Sequence, residues 1–282
     1  MMGGADKFHS SNSLQIRLPG NERLHRLKTG LKIILCLPLL STMRIEAENS
    51  AIRFHSGLER TALLELYTSE GCSSCPPTEA WLSELQGSPR LWKGFVPVAF
   101  HVDYWDYLGW KDAWAEASFS ERQRAYSQLW RAENVYTPEL VLNGKEWHHW
   151  FVGKNGPATE VEPAGVLTVA SADTNLWRVS FVSEQRTDTR YVIHAALLAG
   201  GIVSEVKAGE NSGRRLDHDF VAVNLIQIGM ATSNGAASGK FILNLAGHQT
   251  EPTLALAVWI TRVDELNPLQ ATGGWLRAPV EK

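Results

Sequence analysis

Cysteine is scarce in this chain. Three occur in 282 residues, Cys36, Cys72 and Cys75. Small folds stapled by several bridges need many more, so a disulfide scaffold is excluded. A four-cysteine zinc site is excluded too, because no second pair stands at matching spacing. Neither charge sign predominates: 27 basic residues face 30 acidic ones, a formal net charge of −3. A nucleic-acid or acidic-membrane surface is therefore not expected. Internal repeats and low-complexity segments are absent. What remains is ordinary globular material, with 44% hydrophobic and 20% charged residues. That length and composition suit one large or two modest domains. Tryptophan is abundant, with 11 residues, which points to aromatic packing or grooves, most of it in the core.

The N-terminus has the layout of a secretory signal. Arg23, Arg26, Lys28 and Lys32 precede a short apolar run, Ile33 to Leu40, and Ile45-Glu46-Ala47 offers a cleavage site. The run is too short to span a bilayer, so no membrane span is expected in the mature chain. Residues 1–47 are read as a signal peptide or leader, and the protein as periplasmic or secreted. A weak membrane anchor, a downstream start, or a disordered leader with a buried strand are the alternatives. Cys36 lacks small residues before it, which argues against lipid attachment. Removal of the leader would leave Cys72 and Cys75 alone.

The rest is organised around residues 62 to 78. Ala62 to Tyr67 is an apolar run of strand length. A polar turn follows, then Cys72-Ser73-Ser74-Cys75, then a helical pattern from Pro76 to Gln86. Two prolines suit a first helical turn, whose N–H groups lack intrahelical partners. Trp81, Leu82 and Leu85 share one helical face. A strand giving way to a helix at Cys-x-x-Cys puts Cys72 at a helix N-terminus, where a thiolate is favoured. A pKa lowered from about 8.5 to about 6.5 raises the thiolate share at pH 7 from roughly 3% to roughly 75%. Cys75 lies one turn on, placed to resolve a mixed disulfide. A zinc half-site or an inert bridge is the blander reading of the pair.

Val96 to Val102 reads as a buried strand, giving strand–helix–strand and hence a parallel pair. The loop Asp103-Tyr104-Trp105-Asp106-Tyr107-Leu108-Gly109-Trp110-Lys111-Asp112 follows. It leaves the sheet at the same end as the cysteines, where open α/β sheets bind ligands. It is read either as a groove wall beside Cys72 or as a satellite core. Asp103 and Trp105 are its candidate functional members. Residues 113 to 133 carry a helical pattern. Thr137-Pro138 then opens a strand that ends in an Asn143-Gly144 turn, the signal of a hairpin. The Thr137–Pro138 bond is a candidate for the cis form, although most such bonds are trans.

Cys72-Ser73-Ser74-Cys75 between strand and helix, with Thr137-Pro138 before a strand, resembles the thioredoxin fold. In that family a cis-proline packs beside the active-site disulfide and helps bind extended substrate. More closely, the stretches Glu65 to Pro77, His101 to Asp112 and Val135 to Pro138 resemble the DUF1223 family. Those are bacterial, mostly exported, thioredoxin-like proteins of unassigned function. The resemblance is strong over roughly residues 60 to 150 and weaker beyond. Ordinary thioredoxins differ in that Gly71 here precedes the first cysteine where they carry tryptophan. Two serines separate the cysteines, and the span from Cys75 to Pro138 looks enlarged. These departures suggest a narrower partner or a bound ligand.

From about residue 160 short strand-like runs take over: 166–171, 177–182, 191–198, 202–207, 220–228, 241–245 and 254–263, with turns such as Ala172-Asp173 between them. The expected fold is thus an α/β thioredoxin-like N-terminal domain, residues 60–152, joined through a Gly- and Pro-rich linker at 153–163 to a C-terminal antiparallel β-sandwich-like domain, residues 164–282. The polar segment Gly209 to Asp219, with His218, is read as a hairpin loop or as a cover for the cysteine pair. His148 and His149 are a weak metal signal.

The functional expectation is thiol–disulfide exchange with a protein or small-molecule thiol or disulfide. Cys72 attacks, Cys75 resolves, and Thr137, Pro138, Asp103 and Trp105 frame the substrate. No cofactor and no metal ligand is assigned. The alternatives are a Cu(I)-binding module using the cysteine pair with His101, and a bridge that only closes a turn.

Overall fold

Two α-helices and fifteen β-strands make up the described residues. The structure, a computed structural model, describes residues 52–148, 155–158, 161–171, 175–184 and 189–280. The expected signal segment, Cys36, His149, the Ala172-Asp173 turn and part of the linker lie outside them.

After a short edge strand β1 (Arg53–His55), strand β2 (Ala62–Thr68) runs into the cysteine turn. Helix α1 (Pro76–Glu84) follows with both prolines in its first turn, and a 3₁₀ turn, Leu85–Gly87, ends it. Strand β3 (Phe95–His101) pairs in parallel with β2, Leu66 opposite Ala99. The loop Asp103–Leu108 is a 3₁₀ helix closed by Gly109 at φ 89°. Helix α2 (Ala117–Trp130) is shorter than its sequence pattern and stops at Arg131 in the left-handed region. The Thr137–Pro138 bond is cis. Strand β4 (Glu139–Leu142) pairs antiparallel with β2 and turns through Asn143 and Gly144, both at positive φ, into β5 (Lys145–Glu146).

Ten strands follow: β6 (Gly165–Ser171), β7 (Leu176–Ser183), β8 (Tyr191–Gly200), β9 (Ile202–Glu205), β10 (Arg215–His218), β11 (Val221–Gly229), β12 (Ala231–Ser233), β13 (Ala236–Ile242), β14 (Thr253–Arg262) and β15 (Gln270–Arg277). Their pairing overturns the expected fold class. The molecule is mostly β, and no separate α/β thioredoxin-like domain exists among the described residues. One eight-stranded mixed sheet runs β15-β14-β8-β11-β3-β2-β4-β5, drawing strands from both halves of the chain. The join is β11 against β3, a parallel pairing with Val221 opposite Ala99. Phe220 extends it by accepting the Ala99 N–H at 2.8 Å. A five-stranded antiparallel sheet, β1-β6-β7-β13-β12, packs beneath, and β9 with β10 forms a separate hairpin.

The physical reason lies in β8 and β14. Both are buried on both faces. Ile193, Ala195 and Leu197 pack into the core shared with the smaller sheet, alongside Val169, Val179 and Phe181. The alternate residues Ala196, Leu198, Ala257 and Trp259 enter the core on the other face, with Leu82, Phe119 and Tyr126 of the helices. A strand buried on both sides needs a layer on each, so the helices cover one face of the large sheet and the smaller sheet the other.

Candidate functional site

Cys72 and Cys75 form a disulfide with Cα atoms 5.5 Å apart, the usual span. Cys75 is the N-cap of α1, and its carbonyl accepts the N–H groups of Thr78 and Glu79 at 2.9 and 3.2 Å. Cys72 Sγ lies 3.3 Å from Ser74 Oγ. The Ser74 hydroxyl donates to the Thr137 carbonyl at 3.4 Å. The cysteine turn therefore abuts the Thr137–Pro138 segment, although 63 residues separate Ser74 from Thr137.

The aromatic loop folds over the same turn. Trp105 Nε1–H donates to Thr137 Oγ1 at 2.8 Å, and Trp110 Nε1–H to Glu70 Oε2 at 2.6 Å. Gly71 allows this approach, since a Cβ there would stand 2.9 Å from Trp105 Cβ. Asp103 turns elsewhere: its Oδ1 accepts from Ser120 Oγ at 2.5 Å, tying the loop to α2. So Cys72, Cys75, Thr137, Pro138 and Trp105 converge, while the Asp103 side chain is engaged with α2.

A second layer comes from the hairpin β9–β10, whose connecting loop lies on the cysteine turn. Asn211 Nδ2 donates to the carbonyls of Glu70 and Cys72, each at 2.9 Å. Glu210 Oε2 accepts from Ser73 N–H at 3.1 Å and from Ser73 Oγ at 2.7 Å. Those two hydrogen bonds hold the Glu210 carboxyl below its ordinary range. Cys72 is 1% exposed and Cys75 0%, and the Ser73 and Ser74 between them are exposed. The polar segment is thus both a hairpin loop and a cover.

Behind the turn lies a buried cluster. His101, at the end of β3, places Nδ1 2.7 Å from Asp112 Oδ2. The same Asp112 oxygen accepts the Glu70 N–H at 2.9 Å. His218, at the end of β10, places Nδ1 2.5 Å from Glu79 Oε2 and Nε2 3.3 Å from Glu70 Oε1. Thr68 Oγ1 donates to the other Glu79 oxygen. Burial works against charge at each of these groups, and the partners outweigh it. Burial lowers the His218 pKa, but Glu70 and Glu79 raise it to about 10. Burial lowers His101 as well, and Asp112 brings it to a net rise. Burial raises Glu79 and Asp112, yet His218 and His101 pull them below the ordinary carboxylate range.

Sequence reasoning noted His101 and His218 but not their convergence. Glu79 went unremarked, although a carboxylate three residues before Leu82 on the apolar side of α1 was a usable signal. Asn211 showed nothing in sequence that distinguishes it from other loop polar residues. Among the described residues, neither cysteine joins a group of three or more metal-ligating side chains.

The family described as "Protein of unknown function (DUF1223)" matches residues 63–261. No curated protein matches. The crystal structure of protein AGR_C_4864 from Agrobacterium tumefaciens is similar, with a TM-score of 0.53 and 19% identity over 79% of this chain and 96% of that one. A second structure, HBP35 of Porphyromonas gingivalis, gives a TM-score of 0.48 and 11% identity over 80% of this chain and 79% of its own. The first likeness shows that the fold occurs in another solved protein.

Proposed function

The chain belongs to the DUF1223 family of proteins of unknown function, and we propose that its Cys72–Cys75 pair exchanges disulfides with a protein or small-molecule thiol. A substrate thiolate attacks Cys72 Sγ, forms a mixed disulfide and expels Cys75 as thiolate. A second substrate thiolate then attacks the substrate sulfur of that mixed disulfide, releasing Cys72. The substrate leaves oxidised and the pair is left reduced, with two electrons transferred; the reverse sequence reduces a substrate disulfide. The N-terminus of α1, capped by Cys75, favours the Cys75 thiolate that this attack expels, and a Cys72 thiolate forms when the mixed disulfide is resolved. The Ser74 hydroxyl, 3.3 Å from Cys72 Sγ, can turn its proton from the Thr137 carbonyl toward that thiolate.

The observation that carries the reading is the contact between the cysteine turn and the Thr137–Pro138 segment through Ser74. Thr137, Pro138 and Trp105 then border the place where a substrate backbone would lie. Export, expected from the leader, would supply an oxidising compartment in which such a pair persists.

Burial supports a second reading, a bridge that only closes the turn, because cysteines 1% and 0% exposed are poor nucleophiles. Exchange therefore requires the loop bearing Glu210 and Asn211 to lift. Equilibration of the folded chain with mixtures of reduced and oxidised glutathione, followed by thiol alkylation, separates the two. Exchange predicts a reversible passage between disulfide and dithiol, and a trapped glutathione adduct on Cys72 in Cys75→Ser. A pair that stays oxidised until the protein unfolds would leave only the structural bridge.

A further inference from the structure

Glu79, His101 and His218 come from α1, β3 and β10. Each offers a ligand atom, those atoms lie within 4.8 Å of one another, and all three residues are buried. We propose that these three side chains bind one divalent cation of the zinc class.

The first argument is an orphaned nitrogen. Asp112 holds His101 Nδ1 at 2.7 Å, which leaves Nε2 as the free ligand atom. That nitrogen is fully buried and has no hydrogen-bond partner. A buried polar atom without a partner is costly and uncommon in native folds. An imidazole whose other nitrogen is fixed by a carboxylate is also the usual arrangement of a metal-bound histidine. Beside it, Glu70 Oε1 is likewise without a hydrogen bond, 3.3 Å from His218 Nε2 and misaligned for one.

The competing account is an ion pair alone, a protonated His218 between Glu70 and Glu79. It accounts for the Glu79 contact and for Glu70 Oε1 as an ion-pair partner 3.3 Å from His218 Nε2, but it leaves His101 Nε2 without any partner. A cation draws on His101, and the Glu70 carboxylate stands next to it as a further oxygen donor.

Donor chemistry narrows the ion. Two imidazoles and one carboxylate suit zinc and similar transition metals, whereas calcium and magnesium prefer oxygen ligands throughout. Three protein ligands would leave a fourth position for water or an outside group. Access is also present. A cleft of about 670 Å³ opens between α1 and β10, and Glu79 lines it with Pro76, Arg214, Leu216 and Asp219. A bound ion would tie the β9–β10 hairpin to α1 and β3, and so the cover of the cysteine turn to the body of the fold. The site uses no sulfur, so it stands apart from the exchange reading.

The test is calorimetric titration of the chelator-treated full chain with zinc chloride. One equivalent should bind, and Cys72→Ser/Cys75→Ser should bind equally. His101→Gln should weaken binding at least tenfold, and Asp112→Asn roughly 10- to 100-fold, with circular dichroism confirming that each is folded. X-ray absorption of the zinc-loaded wild type should show nitrogen and oxygen neighbours and no sulfur, a readout that stands even if a variant fails to fold. No binding by the wild type up to about 1 mM would overturn the site. Undiminished binding by His101→Gln, or a sulfur neighbour, would do the same by moving the ion elsewhere, for instance to the exposed His148 beside Glu146.

Discussion

Asn211 and Cys72 stand 139 residues apart and are joined by one hydrogen bond, Asn211 Nδ2–H to the Cys72 carbonyl at 2.9 Å. The same amide nitrogen also reaches the Glu70 carbonyl, and its oxygen accepts from Arg214 Nη1 at 2.7 Å. One side chain thus fastens the hairpin loop over the disulfide. Asn211→Ala removes both donated bonds; the Cys72 carbonyl keeps the Cys75 N–H at 3.3 Å, while the Glu70 carbonyl loses its side-chain donor, a loss of about 1–3 kcal/mol. If lifting the loop limits access, reduction of the bridge by dithiothreitol should speed up roughly tenfold or more in the folded variant. An unchanged rate under conditions where both proteins remain native would show that the loop does not control access.

Gly71 is a packing requirement. With Trp105 Cβ only 2.9 Å from a built Cβ, Gly71→Ala must displace Trp105 or the cysteine turn. Overpacking of this kind costs about 1–3 kcal/mol. Urea unfolding should show a lower midpoint. Loss of the Trp105–Thr137 hydrogen bond should also change the near-ultraviolet circular dichroism. A variant with wild-type stability and spectrum would mean that the loop accommodates the methyl without moving.

The Glu65–Arg122 pair ties β2 to α2. Arg122 Nε and Nη2 reach the two Glu65 oxygens at 2.7 and 3.1 Å, and Tyr126 OH and Tyr67 OH donate to the same carboxylate at 2.7 and 2.9 Å. The guanidinium also lies 5.3 Å from the Trp259 ring centre on β14. Arg122→Met strands a buried carboxylate and should cost roughly 3–5 kcal/mol. Glu65→Gln/Arg122→Met leaves no unpaired charge; the new amide oxygen accepts from one tyrosine, and the amide N–H donates to the hydroxyl of the other. The double variant should therefore be more stable than Arg122→Met alone. Additive losses would mean that the pair does not act as a unit.

Much of the first half was legible because its signals are local. Pro76-Pro77 after Cys75 marks a helix start, and Asn143-Gly144 marks a hairpin. The chain realises both. The fold class was not legible, because the deciding contact is β11 on β3, Val221 beside Ala99, a pairing with no short-range signature. The runs Tyr191–Gly200 and Thr253–Arg262 held a usable clue. They are nearly continuous apolar stretches, and such strands belong in the middle of a sheet covered on both faces rather than in a free-standing sandwich. At the site, the cysteines and Thr137-Pro138 announced themselves by motif. Glu79, Asp112 and Asn211 gain their roles only from partners distant in sequence.

Glu139 follows Pro138 and carries the last prediction. Burial, reinforced by Glu146 and Glu65 and opposed by the Gln123 hydrogen bond, pushes its pKa up to about 7. An unfolded glutamate titrates at about 4.3. Between those values the folded chain holds a proton that the unfolded chain has released, so stability falls as pH rises through that window. The contribution is fully present below about pH 4.3 and lost above about pH 7, and it is on the order of 2 kcal/mol once partial solvation is allowed for. His194 acts in the opposite direction. Burial, with Arg122, lowers its pKa to about 3, so its neutral form supports the fold until pH falls below about 6.5. Comparing Glu139→Gln with wild type cancels that background. The amide oxygen that the substitution introduces can still accept from Gln123 Nε2, which in the wild type donates to Glu139 Oε2 at 2.6 Å. Urea unfolding from pH 4 to 8 should show the variant gaining on wild type as pH rises from about 4.3 to 7, with a constant advantage above that. A difference that stays flat across this range would place the Glu139 carboxyl at an ordinary pKa and remove the burial argument with it.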